Sequence, residues 1–177
     1  MAMTPRLRKL ALTVHVTSSV GWLGAVVAFL ALAVVGLTSQ DAQTARGAYL
    51  VMEPAAWLVL VPLALASLIT GIIQSLGTTW GLFRHYWVLF KLLITVLSTI
   101  ILLMYMETLS YLSGVAAETT LSSGDLSGLR EPSPALHAGA GLLLLLVAAT
   151  LSVYKPRGAT PYGRRKQQEE RGIKESG

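Results

Sequence analysis

Three histidines and one lysine are the residues whose types and positions could support chemistry in this chain. His15 and Lys91 lie about five residues inside long apolar stretches, whereas His85 and His137 lie near the ends of such stretches. A neutral imidazole can ligate a metal ion or transfer a proton, and an ammonium group attracts anionic groups. Ionisable side chains within apolar helices usually face the interior of a helix bundle, so these four are the first site candidates.

The elements that must position these residues are apolar helices. Of the 177 residues, 53% are hydrophobic and 13% are charged, whereas a soluble domain has about 25% charged residues. Four stretches have the length and composition of membrane spans, at about residues 10–37, 55–77, 86–108 and 135–154. They predict an all-α, integral membrane four-helix bundle over residues 1–157, with an external loop over Ser113–Ser133 rich in Gly, Ser and Thr.

The basic residues are distributed unequally between the two sides of the predicted bundle. Twelve of the 14 lie before the first span, at the start of the third, or after the fourth, and the other two connections hold only Arg46 and Arg130. The positive-inside rule therefore predicts that both termini lie in the cytoplasm. We expect residues 158–177 to form a basic cytoplasmic tail that is disordered or associated with the membrane surface. The net charge of +5 then reflects topology, and we expect the lipid bilayer, not nucleic acid, as the partner.

Depth along the helices places polar groups of all four spans in one layer. With a rise of about 1.5 Å per residue, His15 and Lys91 both lie roughly 7–8 Å inside the cytoplasmic boundary. Gln74 and Thr150 fall near the same depth, whereas His137 belongs to the outer leaflet and is not expected to reach His15. Polar residues recur at helical spacing in three spans: His15, Ser18 and Ser19; Ser67, Thr70 and Gln74; Lys91, Thr95, Ser98 and Thr99.

Each candidate also has an ordinary structural interpretation. Lys91 can extend its ammonium group to the headgroups, and His15 can hydrogen-bond a neighbouring helix. His85 follows Arg84 in an aromatic segment that suits the membrane interface, and His137 suits an interfacial role at the outer surface. Stripes of small and polar residues commonly pack helices together. Whether the chain is an enzyme stays open at this point, although no motif for hydrolytic catalysis is present.

The segment His15-Val-Thr-Ser-Ser-Val-Gly-Trp-Leu-Gly-Ala resembles the first span of a broad group of bacterial membrane proteins. The group includes HemJ-type protoporphyrinogen IX oxidases, CopD-type copper-resistance proteins and a related family of uncharacterised integral membrane proteins. The segment Tyr86-Trp-Val-Leu-Phe-Lys91-Leu-Leu is similar to the tryptophan followed closely by Lys-Leu at the start of a later span in this group. The two segments cover about 20 residues.

The resemblance implies a multi-pass protein of the bacterial cytoplasmic membrane and, in the HemJ branch, haem b. His15 and Lys91 match the histidine and lysine that are important in that branch. His15 would then be an axial ligand of the iron, with Gln74 or a backbone carbonyl fixing its tautomer, and Lys91 would attract a propionate. In that branch a histidine lies very near the lysine. Leu89 stands in the nearby place here, and His85 could be a second ligand only if its helix begins earlier than predicted.

Three functional hypotheses follow. The first is a haem- or porphyrin-binding redox protein, and the second is a non-enzymatic membrane module that acts as an assembly or transport partner. The third is a copper-handling protein of the CopD type, whose ligands would be Met52, Met104, Met106 and His137 near the outer face. Because four short-looped spans enclose little volume, the chain could form a homodimer around a shared cofactor. A homo-oligomer or a membrane-protein partner is the expected partner in general.

Overall fold

The computed structural model describes residues 3–77, 81–118 and 130–175, and these residues are almost entirely helical. One isolated bridge joins His85 to Ala159, and no strand is present in these ranges. The helices are α1 (Pro5–Thr38), α2 (Ala42–Ala55), α3 (Val61–Gly77), α4 (Tyr86–Ala117), α5 (Ser133–Tyr154) and α6 (Pro161–Glu175), with a π-helical turn at Ala56–Leu60 between α2 and α3. The predicted all-α fold is confirmed.

Four helical stretches of the described chain are long and apolar enough to cross a membrane: Pro5–Thr38, Ala42–Gly77, Tyr86–Ala117 and Ser133–Tyr154. The second comprises α2, the π turn and α3. Their outward faces carry large exposed apolar side chains, such as Leu58 and Val153, each 76% exposed. Water-soluble proteins rarely expose apolar patches on this scale, so these faces are suited to lipid. The predicted bundle of four membrane helices is confirmed.

Helix caps explain why two helices begin earlier than the predicted spans. α1 begins at Pro5, because the Thr4 hydroxyl accepts a hydrogen bond from the Leu7 amide at 3.4 Å and proline fits the first turn of a helix. The second stretch begins at Ala42, because the Asp41 carboxylate accepts hydrogen bonds from the Gln43 and Thr44 amides. Hydrogen bonds from the Thr44 side chain and backbone also hold the pKa of the Asp41 carboxyl below its usual value.

The π turn lies between two prolines of the second stretch, Pro54 and Pro62. Proline has no amide proton, and its ring collides with the carbonyl group four residues earlier in a regular α-helix. A wider π turn before Pro62 relieves this collision with Leu58, so the helix continues through both prolines. At its C-terminal end, α4 continues to Ala117, so the loop predicted over Ser113–Ser133 begins later than expected. Residues 119–129 of that loop lie outside the described ranges.

The core is a stripe along α1 that packs against the other membrane helices. Trp22, Val26, Phe29 and Ala33 are buried at helical spacing. They join one cluster with side chains of α2, the π turn, α4 and α5, including Tyr49, Met52, Ala56, Leu60, Tyr105, Met106, Leu109, Ala138 and Leu145. Helix α1 therefore contributes one buried face to the core, and its other faces carry exposed apolar side chains.

Polar contacts join α2 to α4 at the end of the bundle opposite the chain termini. The Arg46 guanidinium donates to the carbonyl groups of Ala116 and Ala117 at 2.6 and 3.2 Å, which satisfies the last turn of α4. The Ser110 hydroxyl donates to the Glu53 carboxylate at 2.6 Å. These contacts fix α2 against the end of α4.

Helix α6 covers most of the tail, which was expected to be disordered or associated with the membrane surface. The Thr160 hydroxyl accepts a hydrogen bond from the Gly163 amide at 3.0 Å, which caps α6, and it donates to the Phe83 carbonyl at 2.6 Å. The Thr160 amide donates to the Arg84 carbonyl at 3.0 Å. An ion pair of 2.9 Å between Arg84 and Glu170 adds a further contact. Together these contacts hold the tail helix against the segment that precedes α4.

Candidate functional site

His15 lies at the contact between α1 and α3. Its Nδ1 atom is 3.1 Å from the Thr70 hydroxyl oxygen, and one turn further along the helix the hydroxyl groups of Ser19 and Ser67 are 2.7 Å apart. Two polar pairs therefore join the two helices within an otherwise apolar interface. We call these four side chains the α1–α3 polar pairs.

The hydrogen bonds of Thr70 determine which nitrogen of His15 carries the proton. The Thr70 hydroxyl donates to the Ala66 carbonyl of its own helix at 2.5 Å, so its oxygen is left to accept from His15. Nδ1 of His15 is therefore the protonated nitrogen, and Nε2 keeps its lone pair. An imidazole whose Nδ1–H is anchored in this way presents Nε2 as a metal ligand or a proton acceptor.

Gly71 allows the His15 ring to approach α3 closely. A Cβ atom built on Gly71 would lie 3.1 Å from Cε1 of His15 and 3.6 Å from Nδ1. Any larger residue at position 71 would push the ring away from Thr70. Thus the sequence Thr70-Gly71 supplies both the acceptor for His15 and the space for its ring.

Lys91 lies on α4, and its charge is near enough to His15 for the two side chains to interact electrostatically. Its side chain is partly buried and, among the described residues, makes no ion pair or hydrogen bond through its ammonium group. The amide nitrogen of Gln74 is buried and also has no partner in the described ranges. Thr150, expected in the same layer, is exposed and donates to the Leu146 carbonyl of its own helix.

Gln74 or a backbone carbonyl was predicted to fix the tautomer of His15. The side chain that contacts Nδ1 in the structure is Thr70, one turn earlier on α3 than Gln74. The sequence did place Thr70 in the same polar stripe. Thr70 and Gln74 lie on the same face of α3, about 40° apart around the helix and about 6 Å apart along it. The choice between them depends on how far α3 is shifted along α1, which packing determines.

His85 lies outside the bundle at the residue that precedes α4. Its backbone is extended, with φ −132° and ψ 136°, and it pairs with Ala159 next to the tail helix. The Tyr86 amide donates to the Gly158 carbonyl at 3.2 Å, which fixes this connection. Helix α4 therefore begins after His85, and the condition for His85 to act as a second ligand in the layer of His15 is not met.

His137 lies on α5 near the opposite end of the bundle. Its ring stacks on Tyr105 with centroids 4.1 Å apart and planes at 21°. Its Nδ1 atom is 2.9 Å from the Ser133 carbonyl, and the Tyr105 hydroxyl donates to the Ser133 hydroxyl at 3.0 Å. The ring is therefore oriented by its own helix and by α4, away from the α1–α3 polar pairs.

The methionines expected to join His137 in a copper site do not share one surface. Met52 and Met106 are buried in the core, with 1% and 3% of their surface exposed, whereas Met104 is 73% exposed. Met104 and Met106 are two residues apart on α4, so their side chains point in nearly opposite directions. In the described ranges no group of three His, Asp or Glu side chains could hold a metal ion.

The fold and these contacts define a helical bundle of the multi-pass membrane class with a histidine-centred polar contact between two of its helices. Comparison with models of known protein families, with curated proteins and with solved structures gave no match to this chain.

Proposed function

We propose that this chain is a haem- or porphyrin-binding redox component of the bacterial cytoplasmic membrane, with both termini in the cytoplasm and His15 as the residue that would hold the iron. The observation that carries the proposal is the 3.1 Å hydrogen bond between Nδ1 of His15 and the Thr70 hydroxyl. It leaves Nε2 of His15 with a free lone pair on a ring whose orientation is fixed. Metal-binding histidines characteristically anchor their second nitrogen in this way.

Three residues would hold the haem and compensate its charge: His15, Thr70 and Lys91. Thr70 would orient the imidazole, and the Lys91 ammonium would attract a propionate group as a point charge. His85 would not supply the second axial ligand, because it precedes α4 and pairs with Ala159. When bound, the haem iron would supply one-electron transfer chemistry. The chain would contribute the ligand, its orientation and the compensating charge.

The test is the absorption spectrum of detergent-purified protein produced with haem supply. We expect a Soret band in the parent, its loss in His15→Ala and its retention in His137→Ala, the matched histidine control. Thr70→Val should weaken haem binding about 10–100-fold, the usual effect of removing such an anchoring group, whereas Thr70→Ser should retain it. A parent without a Soret band, or a band unchanged in His15→Ala, would overturn the proposal.

A second candidate is the non-enzymatic membrane module, an assembly or transport partner without a cofactor. The observation in its favour is that both α1–α3 polar pairs join the same two helices, as hydrogen bonds that only pack helices would do. This candidate predicts that His15→Ala and Lys91→Ala retain the function of the parent. Stable association with another membrane protein, or with a second copy of the chain, in mild detergent would support it.

A further inference from the structure

A cavity of about 320 Å³ lies within the bundle, apart from His15, Lys91 and His85. Its walls come from α1, the π turn, α4 and α5, and they are apolar and partly aromatic, including Trp22, Phe29 and Tyr105. For comparison, an apolar cavity of about 150 Å³ is enough to take up benzene. The volume is at the small end of the range for ligand pockets, which starts near 300 Å³, so it suits a single ring system.

Besides the indole of Trp22 and the hydroxyl of Tyr105, which donates to Ser133, two polar side chains line this apolar cavity, Ser98 and His137. The Ser98 side chain is buried, with 8% of the residue exposed, and its hydroxyl has no hydrogen-bond partner among the described residues. A buried hydroxyl without a partner costs about 1–3 kcal/mol. The hydroxyl is therefore suited to a ligand with an oxygen atom.

His137 supplies the second polar group of the cavity. Its Nδ1 atom is taken up by the Ser133 carbonyl, so Nε2 is the nitrogen left to accept a hydrogen bond. The ring stacks on Tyr105, which lies seven residues after Ser98 on α4. Seven residues of α-helix correspond to about 10 Å. The cavity thus offers a hydroxyl and an imidazole about two helical turns apart, and part of its wall is aromatic.

The cavity also borders the surface that faces lipid. Ile101 of α4, which is 39% exposed, and the exposed residue Ala140 of α5 both line it. A ligand dissolved in the bilayer could therefore enter between α4 and α5 without crossing water.

We propose that this cavity binds a membrane-soluble ring compound with oxygen atoms on opposite sides of the ring, of the quinone or quinol class. The Ser98 hydroxyl donates to one oxygen of either form, and in the quinol form the opposite hydroxyl donates to Nε2 of His137. The ring packs against Trp22 and Phe29. A lipid acyl chain would fill the same volume but would leave the Ser98 hydroxyl unpaired, which favours the ring compound. The site does not depend on the haem proposed at His15.

The test uses Trp22 as a built-in probe, because quinones quench tryptophan fluorescence. The parent in lipid nanodiscs is titrated with decylubiquinone, and we expect saturable quenching that is lost in Trp22→Phe. Ser98→Ala should weaken binding about fivefold, the effect of one lost hydrogen bond. Ser152→Ala is its matched control, because the Ser152 hydroxyl is satisfied by the Ala148 carbonyl and lies outside the cavity.

Two glycines of α5 provide a second matched pair. A Cβ atom on either Gly141 or Gly139 would meet no atom within 4 Å, but only Gly141 lines the cavity. Gly141→Leu should abolish the saturable quenching, whereas Gly139→Leu should leave it unchanged.

Quenching that never saturates, or that persists in Gly141→Leu, would overturn the proposal. If Ser98→Ala binds like the parent while Gly141→Leu does not, the occupant is an alkyl chain and the ring assignment is wrong. Should Gly141→Leu fail to fold, the Ser98→Ala and Trp22→Phe titrations still decide the question. The Soret band of the parent and of Ser98→Ala is measured in parallel. It tests the haem proposal independently of quinone binding.

Discussion

Two histidines of this chain show how a neighbouring hydrogen-bonding group determines which nitrogen of an imidazole is left to bind a ligand. His15 is anchored by a residue of another helix, the Thr70 hydroxyl, whereas His137 is anchored by the Ser133 carbonyl of its own helix. In both, Nδ1 is the anchored nitrogen and Nε2 keeps a lone pair. The first contact holds two helices together, and the second orients a ring beside an apolar cavity.

The sequence predicted part of this residue-scale arrangement. The depth estimate placed His15 near Gln74 and Lys91, and the structure brings His15 to the helix of Gln74 and within electrostatic reach of Lys91. The sequence did not identify Thr70 as the anchor or Ser98 as a cavity residue, although both belonged to the predicted polar stripes. Counting residues gives the approximate depth of each side chain in the membrane. Its partners depend on how the packed helices are shifted and rotated relative to one another.

At residue scale we predict opposite effects for two glycines of α1. Gly36→Ala would place a Cβ atom 2.9 Å from the ring of Tyr49, which is 1% exposed and cannot move aside. Overpacking of this kind costs about 1–3 kcal/mol. Gly24→Ala meets no atom within 4 Å and should stabilise the helix by up to about 1 kcal/mol. Thermal unfolding in detergent measures both, and equal effects would contradict the described packing of α1 on α2.

At the scale of elements, the helices extend beyond the apolar stretches that predicted them. Hydropathy marks only the part of a helix that can lie in hydrocarbon, whereas caps such as Thr4 and Asp41 determine where the helix begins. The tail was expected to be disordered or associated with the membrane surface because its composition is polar and charged. Its helix instead depends on contacts of Thr160 with Phe83 and Arg84, about 76 residues earlier in the chain, which local composition does not reveal.

At this scale we predict that Gly163→Ala releases the tail helix. A Cβ atom at Gly163 would collide with the Arg84 carbonyl group, whereas one at Gly172 meets no atom within 4 Å. Because overpacking against backbone costs about 1–3 kcal/mol, trypsin should cleave the tail of Gly163→Ala about tenfold faster than the parent. Gly172→Ala, in the same helix, should be cleaved like the parent. Similar rates for all three proteins would show that the tail is not docked at Gly163.

At the scale of the whole molecule, hydropathy and charge predict different properties, the number of membrane helices and their orientation. Hydropathy predicted the four membrane helices that the structure confirms. The distribution of 14 basic residues predicts which side of the membrane the ends occupy. Neither hydropathy nor charge predicted the internal cavity, because it forms where the side chains of four packed elements leave space.

The orientation can be tested by cysteine labelling, since the chain has no cysteine of its own. Gln43→Cys and Gln168→Cys place single thiols at exposed positions of α2 and α6. If both termini are cytoplasmic, a membrane-impermeant maleimide should label Gln43→Cys in intact spheroplasts and Gln168→Cys only after lysis. The reverse pattern would contradict the predicted orientation.

The central claim is that Nε2 of His15 ligates a haem iron, and chemical rescue of His15→Gly tests it most directly. The substitution removes the imidazole and leaves space beside Thr70 and Gly71 for a free one. We predict that the Soret band of the parent disappears in His15→Gly and returns when imidazole is added to the purified variant. A parent without the band, or a His15→Gly variant that keeps the full band without imidazole, would contradict the claim.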